Sequence, residues 1–353
     1  MYSRISYLDG HRGLAILLVL FFHAYTRWPE VVPYGSQYVD IPIFKFGWIG
    51  VQLFFLISGF VILMTLEKCA DIRAFIYRRW IRLFPAMLFC SILIFITSSY
   101  FYERPAGKPL IDSLLPGLTF IEPSWWRIMI GVPSNPLEGS FWSLYVEFKF
   151  YCFAACIYFW KGRNWMLTAL VFAYVSSIFF KVANIYIPGE FFLLTNKVLQ
   201  TLSFEHFGWF VAGAAFYIYS KTMDLKWFLI AIFLSILSAV FVRDLEWKPA
   251  LAACLISAFF AISLISPRLQ RILSNRFLQF FGFISYPLYL IHENMMISMI
   301  VKLGHGTIQL PQFMYPLLAI IALSSIAFFI ARYAETYVKQ LIINCGRLMA
   351  QTE

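Results

Sequence analysis

Residues 47–65, GWIGVQLFFLISGFVILMT, run for nineteen positions without a charged side chain. A helix rising 1.5 Å per residue needs about 20 mostly apolar residues to cross the hydrocarbon core of a bilayer. This stretch has that length and composition. Nine more segments read the same way, near 13–26, 83–101, 141–160, 165–182, 204–220, 227–242, 249–266, 283–301 and 314–333. Composition points in the same direction. Of 353 residues, 61% are hydrophobic, 20% aromatic and 13% charged, against roughly 25% charged in soluble domains. Mean hydropathy is +0.74. A single soluble core could not hide so much apolar surface, and disordered chains are poor in apolar and aromatic residues. The expected fold class is all-α and integral to a membrane, with about ten transmembrane helices.

The first segment differs from a secretory signal peptide. It lacks a small-residue cleavage site, and His23, Tyr25 and Trp28 interrupt its apolar run. A retained helix is expected. Residues 1–338 are read as one transmembrane domain and 339–353 as a short cytoplasmic tail. The region 102–140 is rich in Pro and Gly (Pro105, Gly107, Pro109, Pro116, Gly117, Gly131, Pro133, Pro136, Gly139) and reads as a loop, with a short surface helix around Trp125–Ile130.

The formal charge is +10. Lys and Arg sit mostly in short segments between apolar stretches, where membrane proteins keep cationic anchors, and this distribution argues against a nucleic-acid partner. Alternate inter-helix segments hold 17 cations, counting Arg4 and Arg12 before the first helix, and the opposite segments hold nine. The positive-inside bias therefore predicts cytoplasmic N and C termini. Six cysteines show neither a CxxC pair nor Cys/His metal spacing, so neither a disulfide framework nor a bound metal is expected.

Ionisable residues inside spanning segments are costly and functional by default. Arg12 and His23 are eleven residues apart, which is 20° after three turns, so they share a helix face about 16 Å apart along the axis. Asp9, three residues before Arg12, joins that face. Ser143, Glu147 and Tyr151 fall at i, i+4 and i+8 and also share a face, with Glu147 at a depth similar to His23. A carboxylate near an imidazole fixes its tautomer and raises its basicity. Lys149 lies about 200° around from Glu147 and reads as structural. In the ninth segment Ser285, Tyr289 and His292 line one face, beside Glu293. Segment 71–84, DIRAFIYRRWIRLF, reads as an interfacial amphipathic helix. Its arginines suit either anionic lipid headgroups or the phosphates of a cytoplasmic donor. The Ser58-Gly59 step reads as close helix packing.

Several of these residues stand in a recognisable pattern. YLDGHRGLAILLVLFFHAY (7–25) resembles the opening motif of the membrane-bound acyltransferase-3 family, with its Arg, ten residues, then His. GWIGVQLFFLISGFVI is similar to the second-helix motif, and RRWIRLFP to an Arg-x-x-Arg followed by Pro, at Arg79, Arg82 and Pro85. FWSLYVEFKFY matches a WSLxxE motif at Trp142, Ser143 and Glu147. SYPLYLIH resembles a late Tyr/His motif at Tyr286, Tyr289 and His292, and YAETYVK resembles the motif closing the last helix. Six motifs in family order cover nearly the whole chain. His11 and Gln52 depart from the usual residues, and Glu335 lacks the following Pro, so no role passes to it.

The resemblance implies a ten-helix enzyme that moves an acyl group, most often acetyl from acetyl-CoA or another acyl-CoA. The acceptors are hydroxyls of extracytoplasmic or lipid-linked glycans, such as bacterial O-antigen or exopolysaccharide. The expected location is the bacterial inner membrane, multi-pass. Some members carry a fused hydrolase-like domain, which is not expected here. On this reading His23 is the general base, or alternatively a nucleophile, assisted by Glu147. Arg12, Arg79 and Arg82 bind CoA phosphates, and Asp9, Trp142, Ser143, Tyr289 and His292 line the substrate cavity. No metal takes part. The expected partners are acyl-CoA, a glycan acceptor and membrane lipids. A transporter or flippase for an anionic glycan or lipid is the rival, because it too keeps Arg, Glu and His in a central cavity, but no inverted repeat is evident.

Overall fold

The computed structural model describes residues 5–131, 134–187, 189–243, 245–306 and 310–351. Arg4 and Pro133, which entered the charge and loop arguments, lie outside the described residues. Among the described residues the chain is helical, with no strand. The principal helices are α1 (Ser6–Tyr25), α2 (Gly50–Leu66), α3 (Ile72–Thr97), α4 (Trp142–Lys161), α5 (Arg163–Tyr186), α6 (Phe207–Thr222), α7 (Leu225–Val240), α8 (Trp247–Ile265), α9 (Arg276–Gly304), α10 (Met314–Phe329) and α11 (Glu335–Gln351). Each of the ten segments picked out by hydropathy falls on one of these helices. Among the described residues five stretches have both the length and the apolarity to cross a bilayer: Gly47–Leu66, Ile72–Thr97, Arg163–Tyr186, Trp247–Ile265 and Met314–Ile342.

One local expectation changes, and two further regions gain detail. The 71–84 segment is not a separate interfacial helix, because α3 runs unbroken from Ile72 to Thr97 with Pro85 inside it. Proline removes one backbone donor, and the remaining helical bonds on either side keep the rod continuous. Residues 335–351, which overlap the segment 339–353 read as a tail, are helical and join α10 through a π-helical turn at Ile330–Ala334. The region 102–140 contains short helices at Leu114–Thr119 and Pro123–Ile130. The second carries the expected surface helix and exposes Ile128, Met129 and Ile130.

The chain forms two compact units. The first comprises Met1–His11, Ile49–Tyr77 and Val146–Asn275; the second comprises Arg12–Trp48, Arg78–Tyr145 and Arg276–Glu353. In the first unit α6 is the axis. Every residue from Phe207 to Ile218 is buried, as expected of a helix that is apolar all round, and α6 packs on α2, α5 and α7. Its contact with α2 brings backbone against backbone. A Cβ on Gly59 would collide with the Phe210 carbonyl, and one on Gly213 with the Leu56 carbonyl. This is the close packing expected at Ser58-Gly59. In the second unit α9 plays the axial part. It is buried at nearly every position from Phe281 to Val301 and packs on α10.

Gly213→Leu is expected to lower stability by roughly 1–3 kcal/mol or more through overpacking against α2. Thermal unfolding of the detergent-solubilised variant measures it.

Candidate functional site

Eight of the ten predicted site residues, all but Asp9 and Glu147, belong to the second unit. Its centre is a pair of histidines. The imidazole of His292, fully buried on α9, has Nδ1 2.7 Å from the Tyr289 carbonyl. A carbonyl only accepts, so this Nδ1 carries the hydrogen and Nε2 keeps a lone pair. His292 Nε2 lies 3.3 Å from His23 Nδ1. That same His23 Nδ1 is 3.0 Å from the Val19 carbonyl, one turn back on α1. Both neighbours are acceptors, so His23 carries its hydrogen on Nδ1. Its Nε2 is therefore the basic nitrogen. The tautomer follows from the hydrogen-bond partners alone. The two rings meet edge to face with centroids 4.7 Å apart.

A carboxylate completes the group. Glu293 Oε1 lies 3.9 Å from His23 Nε2, and its Oε2 accepts the Ser140 backbone N–H. The Ser140 carbonyl in turn accepts the Tyr289 hydroxyl at 3.0 Å, and Tyr289 Oη is 2.7 Å from Ser143 Oγ. The motif residues Ser143, Tyr289 and His292 are thus brought together around the loop end that precedes α4.

A second polar cluster fastens that loop. Glu138 is fully buried. It accepts from Arg104 Nη2 at 3.1 Å, from the Asn294 backbone N–H at 3.0 Å and from Asn294 Nδ2. Arg104 also donates to the Leu137 carbonyl at 2.7 Å. Asn294 Oδ1 accepts the Ala106 N–H at 2.9 Å. One side chain of α9 thereby ties down two separate parts of the 102–140 region. Burial pushes the Glu138 carboxyl up to about 8, against the opposing pull of Arg104.

Other predicted residues take different positions. Arg79 is buried, whereas Arg78 and Arg82 are exposed and Arg12 is half-buried. Trp142 is exposed and Asp9 buried. Glu147, expected to orient His23, has hydroxyl partners in the first unit, where Ser58 and Tyr151 both donate to its Oε1. Tyr151 is its i+4 neighbour, as the face analysis requires, and α2 supplies Ser58. Lys149 bonds the segment that ends the Glu190–Thr201 helix. Its Nζ donates to the Thr201 carbonyl at 2.7 Å and to Ser203 Oγ at 3.0 Å, satisfying the end of the Glu190–Thr201 helix. His11 bonds Ser263 Oγ at 2.7 Å, which accommodates an imidazole where family members often carry an apolar residue.

Sequence reasoning missed Arg104 and Glu138, which look like ordinary loop charges, and gave Glu293 only the place beside His292. The available signal was that Glu293 and Asn294 follow His292 directly, making three consecutive strongly polar residues inside an apolar helix. Among the described residues no group of three or more His, Cys, Asp or Glu could hold a metal ion, and Cys69, Cys90, Cys152, Cys156 and Cys254 form no disulfide.

Among the described residues, apolar helices of spanning length and a buried His/Glu centre are features that a membrane-embedded transferase and a transporter would share. Residues 5–332 match the family model described as an acyltransferase domain, and the chain belongs to this acyltransferase-3 family. Among named relatives, the chain is 29% identical over 166 residues to the peptidoglycan O-acetyltransferase OatA of Listeria monocytogenes, covering 42% of this chain and 24% of that protein. It is 27% identical over 215 residues to the O-acetyltransferase OatA of Staphylococcus aureus, covering 55% and 32%. ORF330 of Acidianus two-tailed virus is 25% identical over 295 residues, 80% of both chains. The matched stretch is thus no more than about a third of either OatA protein. No solved structure gives a significant match.

A carboxyl that titrates higher when folded than when unfolded retains a proton the unfolded chain has lost, so stability falls as pH rises between the two values. For Glu138 that window runs from the ordinary 4.5 to about 8. Glu138→Gln, which cannot titrate, is expected to flatten the decline in melting temperature across this window. Scanning fluorimetry of both proteins over that range checks it.

Proposed function

We propose that this protein transfers an acetyl group from cytoplasmic acyl-CoA to a hydroxyl of an extracytoplasmic or lipid-linked glycan, in the inner membrane of a bacterium. The names of the OatA relatives support an O-acetyl transfer, and peptidoglycan, O-antigen and exopolysaccharide all offer suitable hydroxyls. The observation that carries the reading is the tautomer of His23. With Nδ1 committed to Val19 and His292, Nε2 holds the lone pair that a general base needs.

In the reaction His23 Nε2 removes the proton from the acceptor hydroxyl as its oxygen attacks the thioester carbonyl. The acyl C–O bond forms, the C–S bond breaks, and the proton passes from Nε2 to the departing thiolate. Tyr289 and Ser143, hydrogen-bonded to each other, offer hydroxyls to the acceptor. Arg12, Arg79 and Arg82 bind the CoA phosphates, where guanidinium forks pair with phosphate oxygens. About 16 Å of helix separates Arg12 from His23, a span suited to the extended pantetheine arm. Ten membrane crossings with both termini in the cytoplasm put the arginines on the donor side and His23 toward the acceptor.

Protein reconstituted in nanodiscs with labelled acetyl-CoA and purified glycan tests the proposal. His23→Ala is expected to slow label transfer by about 10²–10⁴-fold while CoA still binds. The double replacement of Arg79 and Arg82 by Ala is expected to weaken CoA binding measured by calorimetry. Wild-type transfer by His23→Ala would overturn the assignment.

A further inference from the structure

We propose that Glu293 is the charge partner of His23 and that Ser140 and Gly139 exist in their loop to aim it. This rests on the acyl-transfer reading above. The 3.9 Å gap between Glu293 Oε1 and His23 Nε2 is too long for a hydrogen bond in the resting tautomer, where Nε2 has no hydrogen to give. Once Nε2 has taken the proton of the acceptor hydroxyl, the ring is an imidazolium facing a carboxylate. The attraction is then strongest in the state that the reaction must reach, and a group that stabilises charge as it develops accelerates the step. Glu293 itself neither gains nor loses a proton. It acts through His23 as a positioning residue.

Three features keep the carboxylate in place. Its Oε2 accepts the Ser140 N–H, which prevents the group from turning away. Gly139 lies directly against it, since a Cβ there would stand 2.9 and 3.0 Å from the two carboxylate oxygens. No residue larger than glycine fits without displacing Glu293. The segment that carries both residues is tied to α9 by Glu138 and Asn294 immediately beyond Glu293, with Arg104 behind. Glu293 is only 6% exposed, and a buried carboxylate is costly unless donors and a cation compensate it. One oxygen has its donor in the resting enzyme, and the other acquires its cation during turnover.

The test uses the full-length protein in nanodiscs. Glu293→Gln keeps the shape and an oxygen for the Ser140 N–H but removes the charge. Its kcat is expected to fall by about 100-fold, the scale of losing one transition-state electrostatic contact, with KM for acyl-CoA and acceptor within about two-fold of wild type. Glu293→Asp, which retains the charge, is expected to recover part of the loss. The double variant His23→Ala/Glu293→Gln is expected to be no slower than His23→Ala alone, because Glu293 acts through the ring. Gly139→Ala offers an independent route, pushing the carboxylate aside without altering either partner, and is expected to lower kcat as well. The proposal is overturned if Glu293→Gln turns over within about three-fold of wild type, or if its loss adds fully to that of His23→Ala. If His23→Ala itself keeps wild-type turnover, the acyl-transfer reading fails first and this proposal with it. If His23→Ala is inactive and Glu293→Gln is normal, only this proposal fails.

Discussion

A buried carboxylate must find donors inside the protein, and in this chain two adjacent residues of α9 organise the second unit around that requirement. Glu293 takes the Ser140 amide, and Asn294 supplies both of its nitrogens to Glu138. In an apolar environment an unmade hydrogen bond costs far more than a made one contributes. The loop before α4 therefore has little freedom to lie elsewhere. Its position sets the Ser140 carbonyl that receives Tyr289, and with it the Tyr289–Ser143 pair.

The same economy governs the histidines. A helix leaves its interior carbonyls engaged in the backbone ladder, yet each carbonyl oxygen has a second lone pair. His23 uses the spare lone pair of Val19, and His292 that of Tyr289. Each imidazole is thus oriented by its own helix, and the second-helix partner is needed only to complete the chain of acceptors. The result is one basic nitrogen aimed at one carboxylate, with no solvent required to hold the tautomer. The first unit treats a half-buried carboxylate differently. Glu147 receives two hydroxyls, Ser58 and Tyr151, and no cation among its described partners.

Close packing supplies the rigidity that these bonds presuppose. Where α2 and α6 touch at Gly59 and Gly213, the carbonyls of the facing helix occupy the volume of the missing Cβ atoms. Gly13 of α1 similarly meets the Leu278 carbonyl on α9, which draws together the helix that bears His23 and the helix that bears His292 and Glu293. Membrane helices gain little from hydrophobic burial against one another, so close approach and interhelical hydrogen bonds carry much of their association.

The helical fold class was legible in the sequence because it rests on local rules. Apolar run length marks the helices, the eleven-residue interval puts Arg12 and His23 on one face, and the i+4 interval pairs Glu147 with Tyr151. What the sequence could not disclose is which face of one helix meets which face of another. Glu293 follows His292 directly in the sequence, yet nothing in the spacing announces that its carboxylate comes to lie near His23. Glu138 and Arg104 looked like solvated loop charges because burial is a property of the folded loop and not of its composition. Local periodicity determined where each side chain sits on its own helix. Only the tertiary structure decided its partners, because hydrogen bonds between distant segments depend on rotations and loop paths that no short-range pattern encodes.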